Sequence, residues 1–288
     1  MTQNMTQNMT QNMHQPPLVL VLGGTGKVGR RIVARLTARE VPVWIGARSA
    51  VPAFDWNAPA TWPGVLNGVQ NVFISYAPDL AMPGASQAVA EFTAQAAAQG
   101  VARVVLLSGR GEPEAEAAER LVQDGPLPWT ILRCSWFAQN FSEDFLLDPI
   151  LAGEVALPVD GATEPFLDCD DIAEVATEAL LDDRHAGQVY ELTGPRLLTF
   201  GDAIGEIARA AERPIRFTTI PPEEFAAGLA AAGLSRDEVS LVSYLFATVL
   251  DGRNSSVRNG VERALGRSPR DFADYIRQTA NTGIWHSP

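Results

Sequence analysis

Residues 18–49 carry the pattern that most restricts the fold, LVLVLGGTGKVGRRIVARLTAREVPVWIGARS. Leu18 to Leu22 is aliphatic without polar alternation, as in a strand covered on both faces, and Gly23, Gly26 and Gly29 follow it at once. Ile32, Val33 and Leu36 then recur at helical spacing through Arg30 to Arg39, and Val41 to Ile45 is short, β-branched and strand-like. A glycine triplet by itself says little. Between a strand and a helix, with a second strand on schedule, G-x-x-G-x-x-G reads as the phosphate loop of a dinucleotide-binding βαβ unit.

In such a loop one glycine permits a tight turn, the next lets backbone approach a pyrophosphate, and the last lets the helix pack on the strand. The helix start then presents free N–H groups and a partial positive charge to the phosphates. Gly23, Thr25, Gly26, Lys27, Val28 and Gly29 are the expected cofactor contacts. Lys27 is the only lysine among 22 lysine and arginine residues. It reads either as a contact to phosphate or substrate or as an accident of arginine-rich usage.

The end of the second strand bears on which dinucleotide is bound. An NAD site places an acid there, roughly 20 residues past the glycines, to accept hydrogen bonds from the ribose 2′-OH. Gly46, Ala47 and Arg48 stand at that point instead. Nothing there repels a 2′-phosphate, and Arg48 can grip it with a charge-assisted fork, so the sequence predicts NADP(H).

The alternation continues. Phe54 to Trp56, Asn71 to Tyr76, Arg103 to Ser108 and Trp129 to Arg133 read as the third to sixth strands, with helical stretches at Trp62 to Asn67, Gly84 to Gln99 and Glu114 to Gln123. The expected fold class is α/β, a Rossmann-type doubly wound parallel sheet that binds its ligand at the carboxyl ends of the strands. Ser75, Tyr76, Pro78 and Ser108 are expected to rim that cleft, with Asp55 as an acceptor for an adenine amino group. Val189 to Leu192 reads as a further sheet strand and Ile215 to Ile220 as a short edge strand. Helices near Phe200 to Ala211, Pro222 to Ala232, Glu238 to Leu250 and Pro269 to Thr279 form a small, mainly helical C-terminal lobe. Val239 to Leu250 is apolar almost all round, which buries it or lays it over the pocket. In Asp170-Asp171-Ile172-Ala173-Glu174, Asp171 reads as a helix N-cap with Glu174 at capping-box spacing. The implied organisation is a tail at 1–16, an NADP-binding core at 17–155, and the remaining strands with a substrate-covering lobe at 156–288.

With 288 residues, 46% of them hydrophobic, the chain can bury a sizeable core. No apolar run approaches the roughly 18 residues of a membrane span. The net charge of −12 is uneven, with 10 basic and 12 acidic residues in 1–150 against 12 and 22 in 151–288. Lacking a basic patch, the chain is not expected to bind nucleic acid, whose affinity rests on phosphate neutralisation. Cys134 and Cys169 form no C-x-x-C and read as reduced, buried thiols. His14, His185 and His286 make no metal or triad constellation, and no metal is expected. Met1 to Asn12 is three copies of MTQN, neither a signal nor a transit peptide, and reads as a disordered tail with order beginning near Pro16. The expectation is a cytoplasmic protein with a small-molecule substrate, no nucleic-acid or membrane partner, and compatibility with a homodimer.

GGTGKVG, GARS, LLSGRGEPEAEAAERLV, PWTILRCSWFAQNF, EPFLDCDDIAEVA and YELTGPRLLTF together resemble the NmrA-like branch of the atypical short-chain dehydrogenase/reductases. The GGTGK loop and FAQNF are similar to relatives of the ergot-alkaloid iminium reductases. The resemblance implies a Rossmann fold, NADP(H) and a C-terminal lobe over the active site. It does not imply one reaction, because the branch mixes quinone, enone and imine reductases with redox-sensing regulators that have lost catalysis. The Tyr-x-x-x-Lys pair of typical short-chain dehydrogenases, which protonates a carbonyl oxygen, is missing: Tyr76, Tyr190, Tyr244 and Tyr275 have no lysine near them. Glu112, Glu114, Glu116, Glu119 and Arg120 occupy that helix and read as a solvated face. An iminium ion needs no such acid, only aromatic faces and a carboxylate to hold a cation. Trp136, Phe137 and Asn140 are the candidate substrate contacts, with Phe141 beside them and Glu143 and Asp144 as carboxylates. Two functions fit these residues: an NADPH-dependent reductase of a small cyclic imine, iminium, enone or quinone, or a non-catalytic NADP sensor acting through a protein partner.

Overall fold

A computed structural model describes residues 16–286, so the MTQN repeat and His14 lie outside the described residues. Six strands, β1 (Val19–Leu22), β2 (Val43–Gly46), β3 (Asn71–Ile74), β4 (Arg103–Gly109), β5 (Trp129–Cys134) and β8 (Gln188–Leu192), form one sheet in the order β2-β1-β3-β4-β5-β8. All pairings are parallel, with Val21 opposite Ile45 on one side and Phe73 on the other. The order reverses at β1, so the connections diverge there and open a crevice at the carboxyl ends of β1 and β3.

Side chains alternate across the sheet and build two cores. Leu20, Leu22, Val72, Ile74, Val104 and Leu106 face α2 (Trp62–Leu66), α3 (Ala85–Ala98) and α4 (Pro113–Gln123). Val19, Val21, Phe73, Val105 and Leu132 face α1 (Lys27–Ala38) and α7 (Cys169–Leu181). Both faces are therefore covered, which accounts for the unbroken aliphatic runs.

A third core fills the lobe. It draws on α5 (Asn140–Glu143), α6 (Leu147–Ala152), α8 (Phe200–Ala210), α9 (Pro222–Ala231) and α12 (Phe272–Ala280), with Phe141, Phe166, Phe200 and Phe272 in mutual ring contact at its centre. Two small sheets join these helices. One pairs β6 (Glu154–Leu157) with β10 (Arg216–Thr219), and the other pairs β7 (Thr163–Glu164) with β9 (Leu198–Thr199). α10 (Arg236–Tyr244) begins on a Ser235–Glu238 capping box and runs on into a π-type turn at Leu245–Val249. α11 (Gly260–Leu265) packs on β8 and α7.

Three expectations are corrected. Phe54 to Trp56 is not a strand, because both rings pack edge-on into an aromatic cluster with Trp62 and Phe92. The Asp55 carboxylate there accepts the Asn57 N–H at 2.9 Å in a turn, which leaves β2 as the sheet edge. The strand near Ile215 to Ile220 joins β6 rather than the main sheet. Asp168, not Asp171, caps α7, accepting the Asp170 N–H at 2.8 Å. Asp171 is fully buried and takes the Arg270 N–H at 2.7 Å and the guanidinium groups of Arg267 and Arg270, which ties the final segment to α7.

Candidate functional site

The glycine loop is held by its own backbone. Gly23 sits at φ +70°, in the left-handed region that glycine tolerates, and its carbonyl accepts the Gly26 N–H at 2.9 Å. A Cβ at Gly29 would collide with that same carbonyl, so only glycine lets α1 close on the loop. No side chain caps the start of α1 and no acid lies in its first turn. Twelve residues of helix dipole thus end at an unmodified, positive N-terminus, and this cradle fits a pyrophosphate.

The loop opens onto a cavity of about 550 Å³ at the carboxyl ends of β1, β3, β4 and β5. Gly23, Thr25, Gly26, Lys27, Val28 and Gly29 line one wall; Ser75, Tyr76, Pro78 and Ser108 line the floor from β3 and β4. Trp136, Phe137 and Asn140 close it from the segment after β5, and Val242, Leu245, Phe246 and Val249 roof it from the lobe. The structure therefore brings together the predicted loop, strand-end and aromatic residues. Arg48 and Asp55 do not line this cavity. Arg48 is exposed just past β2, where an adenosine end would lie, whereas the Asp55 carboxylate is engaged in its own turn. Phe141 is wholly buried in the lobe core.

The charged groups around the cavity differ from the expected pattern. Lys27 Nζ donates to Asn140 Oδ1 at 2.8 Å, forms an ion pair with Asp144 and sits 6.0 Å from the centre of the Phe137 ring. Glu143 is taken by Arg30 and by Arg31, whose Nη2 lies 2.7 Å from Oε1. Both carboxylates expected to hold a cationic substrate are thus already matched to the basic face of α1. The acidic helix α4 is also not simply solvated. Glu119 is only 1% exposed, accepting the Ser108 hydroxyl at 2.6 Å and Arg133 Nε at 3.0 Å. Glu114 accepts the Tyr244 hydroxyl at 2.6 Å, which pins the roof to α4. Burial, with the Glu114 hydrogen bond, pushes the Tyr244 phenol up to about 12, so it stays a donor.

Two further carboxyls face the cavity: Asp79, which carried no sequence signal, and Glu112, which was expected on a solvated helix face and instead lines the cavity. Asp79 follows β3 and accepts the Ala81 N–H at 2.8 Å. Glu112 folds back over Gly109, and a Cβ at that glycine would occupy the place of the Glu112 carboxyl. Burial pushes Glu112 up to about 8, and the negative charges of Asp79, Glu114 and Glu119 act the same way. Burial also raises Asp79.

Among the described residues no cluster of His, Cys, Asp and Glu is arranged to hold a metal. His185 is buried, its Nδ1 2.8 Å from the Tyr190 hydroxyl, and no described helix is long and apolar enough to cross a membrane.

No protein-family profile matches the chain. Agroclavine dehydrogenase of Claviceps fusiformis is 30% identical to it, across 93% of this chain and 98% of that protein. The chain belongs to the NmrA-like branch of the atypical short-chain dehydrogenase/reductases. It is an NAD(P)-binding oxidoreductase of that branch. Two solved structures share the fold, at identities too low to say more. The NADPH complex of a quinone oxidoreductase from Escherichia coli superposes with a TM-score of 0.75 over 90% of this chain and 99% of that one, at 17% identity. NmrA, a negative transcriptional regulator in complex with NAD, superposes with a TM-score of 0.69 over 94% and 97%, at 16% identity. In this NmrA-like chain a 550 Å³ cavity lies beside the glycine loop.

Proposed function

We propose that the chain is an NADPH-dependent reductase of a small, largely apolar electrophile: a cyclic imine or iminium, an enone or a quinone. The observation that carries this reading is the cavity itself, continuous from the uncapped α1 N-terminus to the rings of Trp136 and Phe246, which lie 5.1 Å apart. A reduced nicotinamide bound along that wall supplies a hydride. The chain's own residues do the rest. Gly23, Gly26 and the α1 N-terminus receive the pyrophosphate, Arg48 favours a 2′-phosphate, and Tyr76, Trp136, Phe145 and Phe246 exclude water around a flat substrate. Gly23, Thr25, Gly26, Lys27, Val28, Gly29, Arg48, Ser75, Tyr76, Pro78 and Ser108 are assigned to the cofactor, and Trp136, Phe137 and Asn140 to the substrate. Asp55, whose Oδ1 accepts the Asn57 N–H, is assigned through its second oxygen to an adenine amino group.

A sensor that binds NADP without chemistry would be expected to close its nicotinamide face, and an open apolar cavity favours the enzyme instead. The choice of electrophile also draws support from agroclavine dehydrogenase. The test is a screen of NADPH oxidation against cyclic imines, enones and quinones, run on the parent and Trp136→Ala. Turnover with at least one class, altered by Trp136→Ala while NADPH affinity holds, is expected. Cofactor binding with no oxidation by any electrophile would overturn the reading.

A further inference from the structure

We infer that Glu112 is the proton donor of this site, in place of the missing Tyr-Lys pair, and that the site therefore accepts a neutral electrophile with a polarised double bond. The inference rests on the reductase reading above.

The argument is one of placement and elimination. Three other carboxyls near the cavity are committed, Glu114 to Tyr244, Glu119 to Ser108 and Arg133, and Asp144 to Lys27, and Asp79 gives one oxygen to the Ala81 N–H. Glu112 lines the cavity with no hydrogen-bond or ion-pair partner among the described residues, laid over Gly109 at the carboxyl end of β4 beside Ser108. The groups facing it do not stabilise a charge. Asp79 comes from the segment after β3, Glu114 and Glu119 from α4, Cys134 from β5 and Tyr244 from the roof. Cations nearby are engaged elsewhere. Arg110 is buried against the Asn254 and Ser256 carbonyls at 2.9 Å, and Arg253 pairs with Asp251 at 2.8 Å. A carboxyl so placed keeps its proton at neutral pH, as a general acid must.

The step balances as the addition of H⁻ and H⁺ across one double bond. The electrophilic end gains the hydride of a reduced nicotinamide. The π electrons pass to the other end and form its new bond to the Glu112 proton. The nicotinamide is left oxidised, and the Glu112 carboxylate regains a proton from water.

The deciding experiment needs no cofactor for its first readout. Carboxyl ¹³C NMR of glutamate-labelled full-length protein should show two side chains titrating near pH 8, Glu112 and Glu164, of which one is absent in Glu112→Gln and the other is kept. Asp79→Asn, which removes a like charge, should move the Glu112 titration to lower pH. The second readout is NADPH-dependent reduction of a neutral quinone or enone. Glu112→Gln, folded by circular dichroism, should lose about 100-fold in kcat together with the alkaline limb of the pH profile. Glu112→Asp should recover part of the rate. If the resonance lost in Glu112→Gln titrates in the ordinary carboxylate range, or if Glu112→Gln reduces the neutral electrophile at the parent rate, Glu112 is not the donor. A parent that oxidises NADPH with no electrophile brings down the reductase reading and this inference with it; an active parent with a fully active Glu112→Gln brings down the inference alone.

Discussion

Lys27 and Asn140 meet at 2.8 Å across 113 positions of sequence, and Asp144 closes on the same ammonium group. The one lysine of the chain thus ties the glycine loop to the segment that carries the aromatic wall. The Lys27 and Asp144 side chains are 21% and 43% exposed, so the ion pair is screened and weakly held. With Lys27 assigned to the cofactor as proposed, an incoming phosphate would compete with Asp144 for it.

Asp144→Asn should therefore tighten NADPH binding by about 2- to 5-fold, the worth of a partly exposed ion pair, and Lys27→Met should weaken it. Isothermal titration calorimetry reads both. Weaker binding by Asp144→Asn would mean that the carboxylate positions Lys27 rather than competing for it.

Arg48 is exposed past β2, with no acid at the strand end. NADPH should bind more tightly than NADH, and Arg48→Asp should narrow or invert the preference. Fluorescence titration of both cofactors measures this, and equal affinities in the parent would sink it.

Asp171 and Asp168 lie three residues apart and should behave differently. Asp171→Ala leaves Arg267 and Arg270 with Glu174 alone and the Arg270 N–H without its acceptor, at about 2–4 kcal/mol once discounted for arginine side chains near one-third exposed. Asp168→Ala removes an N-cap and the acceptor of the buried Gln139 amide at 2.8 Å, at about 1–3 kcal/mol. Urea unfolding curves compare the two, and a reversed order would refute the assignment.

Glu164 supplies a pH test independent of the cavity. Buried to 1% exposure, with one oxygen lacking a hydrogen-bond partner, it is pushed up to about 8 by burial, against the opposing charge of Arg110. Its folded-state value is raised, so between the ordinary glutamate value near pH 4.3 and about 8 the folded state holds a proton that the unfolded chain has released. Stability is fully present below that window and falls as pH rises through it, by at most about 1.4 kcal/mol per pH unit from this group. Glu164→Gln should flatten the decline in melting temperature between pH 5 and 8. An unchanged slope would count against a buried, protonated Glu164.

The sequence by itself determined what local periodicity and local chain geometry determine. Gly23 and Gly29 announce a turn and a close helix approach, and the aliphatic runs of β1, β3, β4 and β5 announce a sheet covered on both sides. Trp136 and Asn140 were legible as cavity residues because they follow a strand whose end must face the ligand. The tertiary structure alone decided the state of the charges and of the strand-like segment at Phe54 to Trp56. That segment forms no ladder because Trp62 and Phe92 offer its rings a better burial than an edge position could. Asp171, Glu119 and Glu112 have the same chemistry in sequence as any surface acid. Asp171 becomes an anchor through arginines 96 and 99 positions away, and Glu119 through Ser108 and Arg133. Glu112 remains unpartnered, half-buried over a glycine, beside other acids at the cavity. A carboxyl's ionisation depends on how much water and which charges surround it, and those are set by contacts between distant segments rather than by its neighbours along the chain.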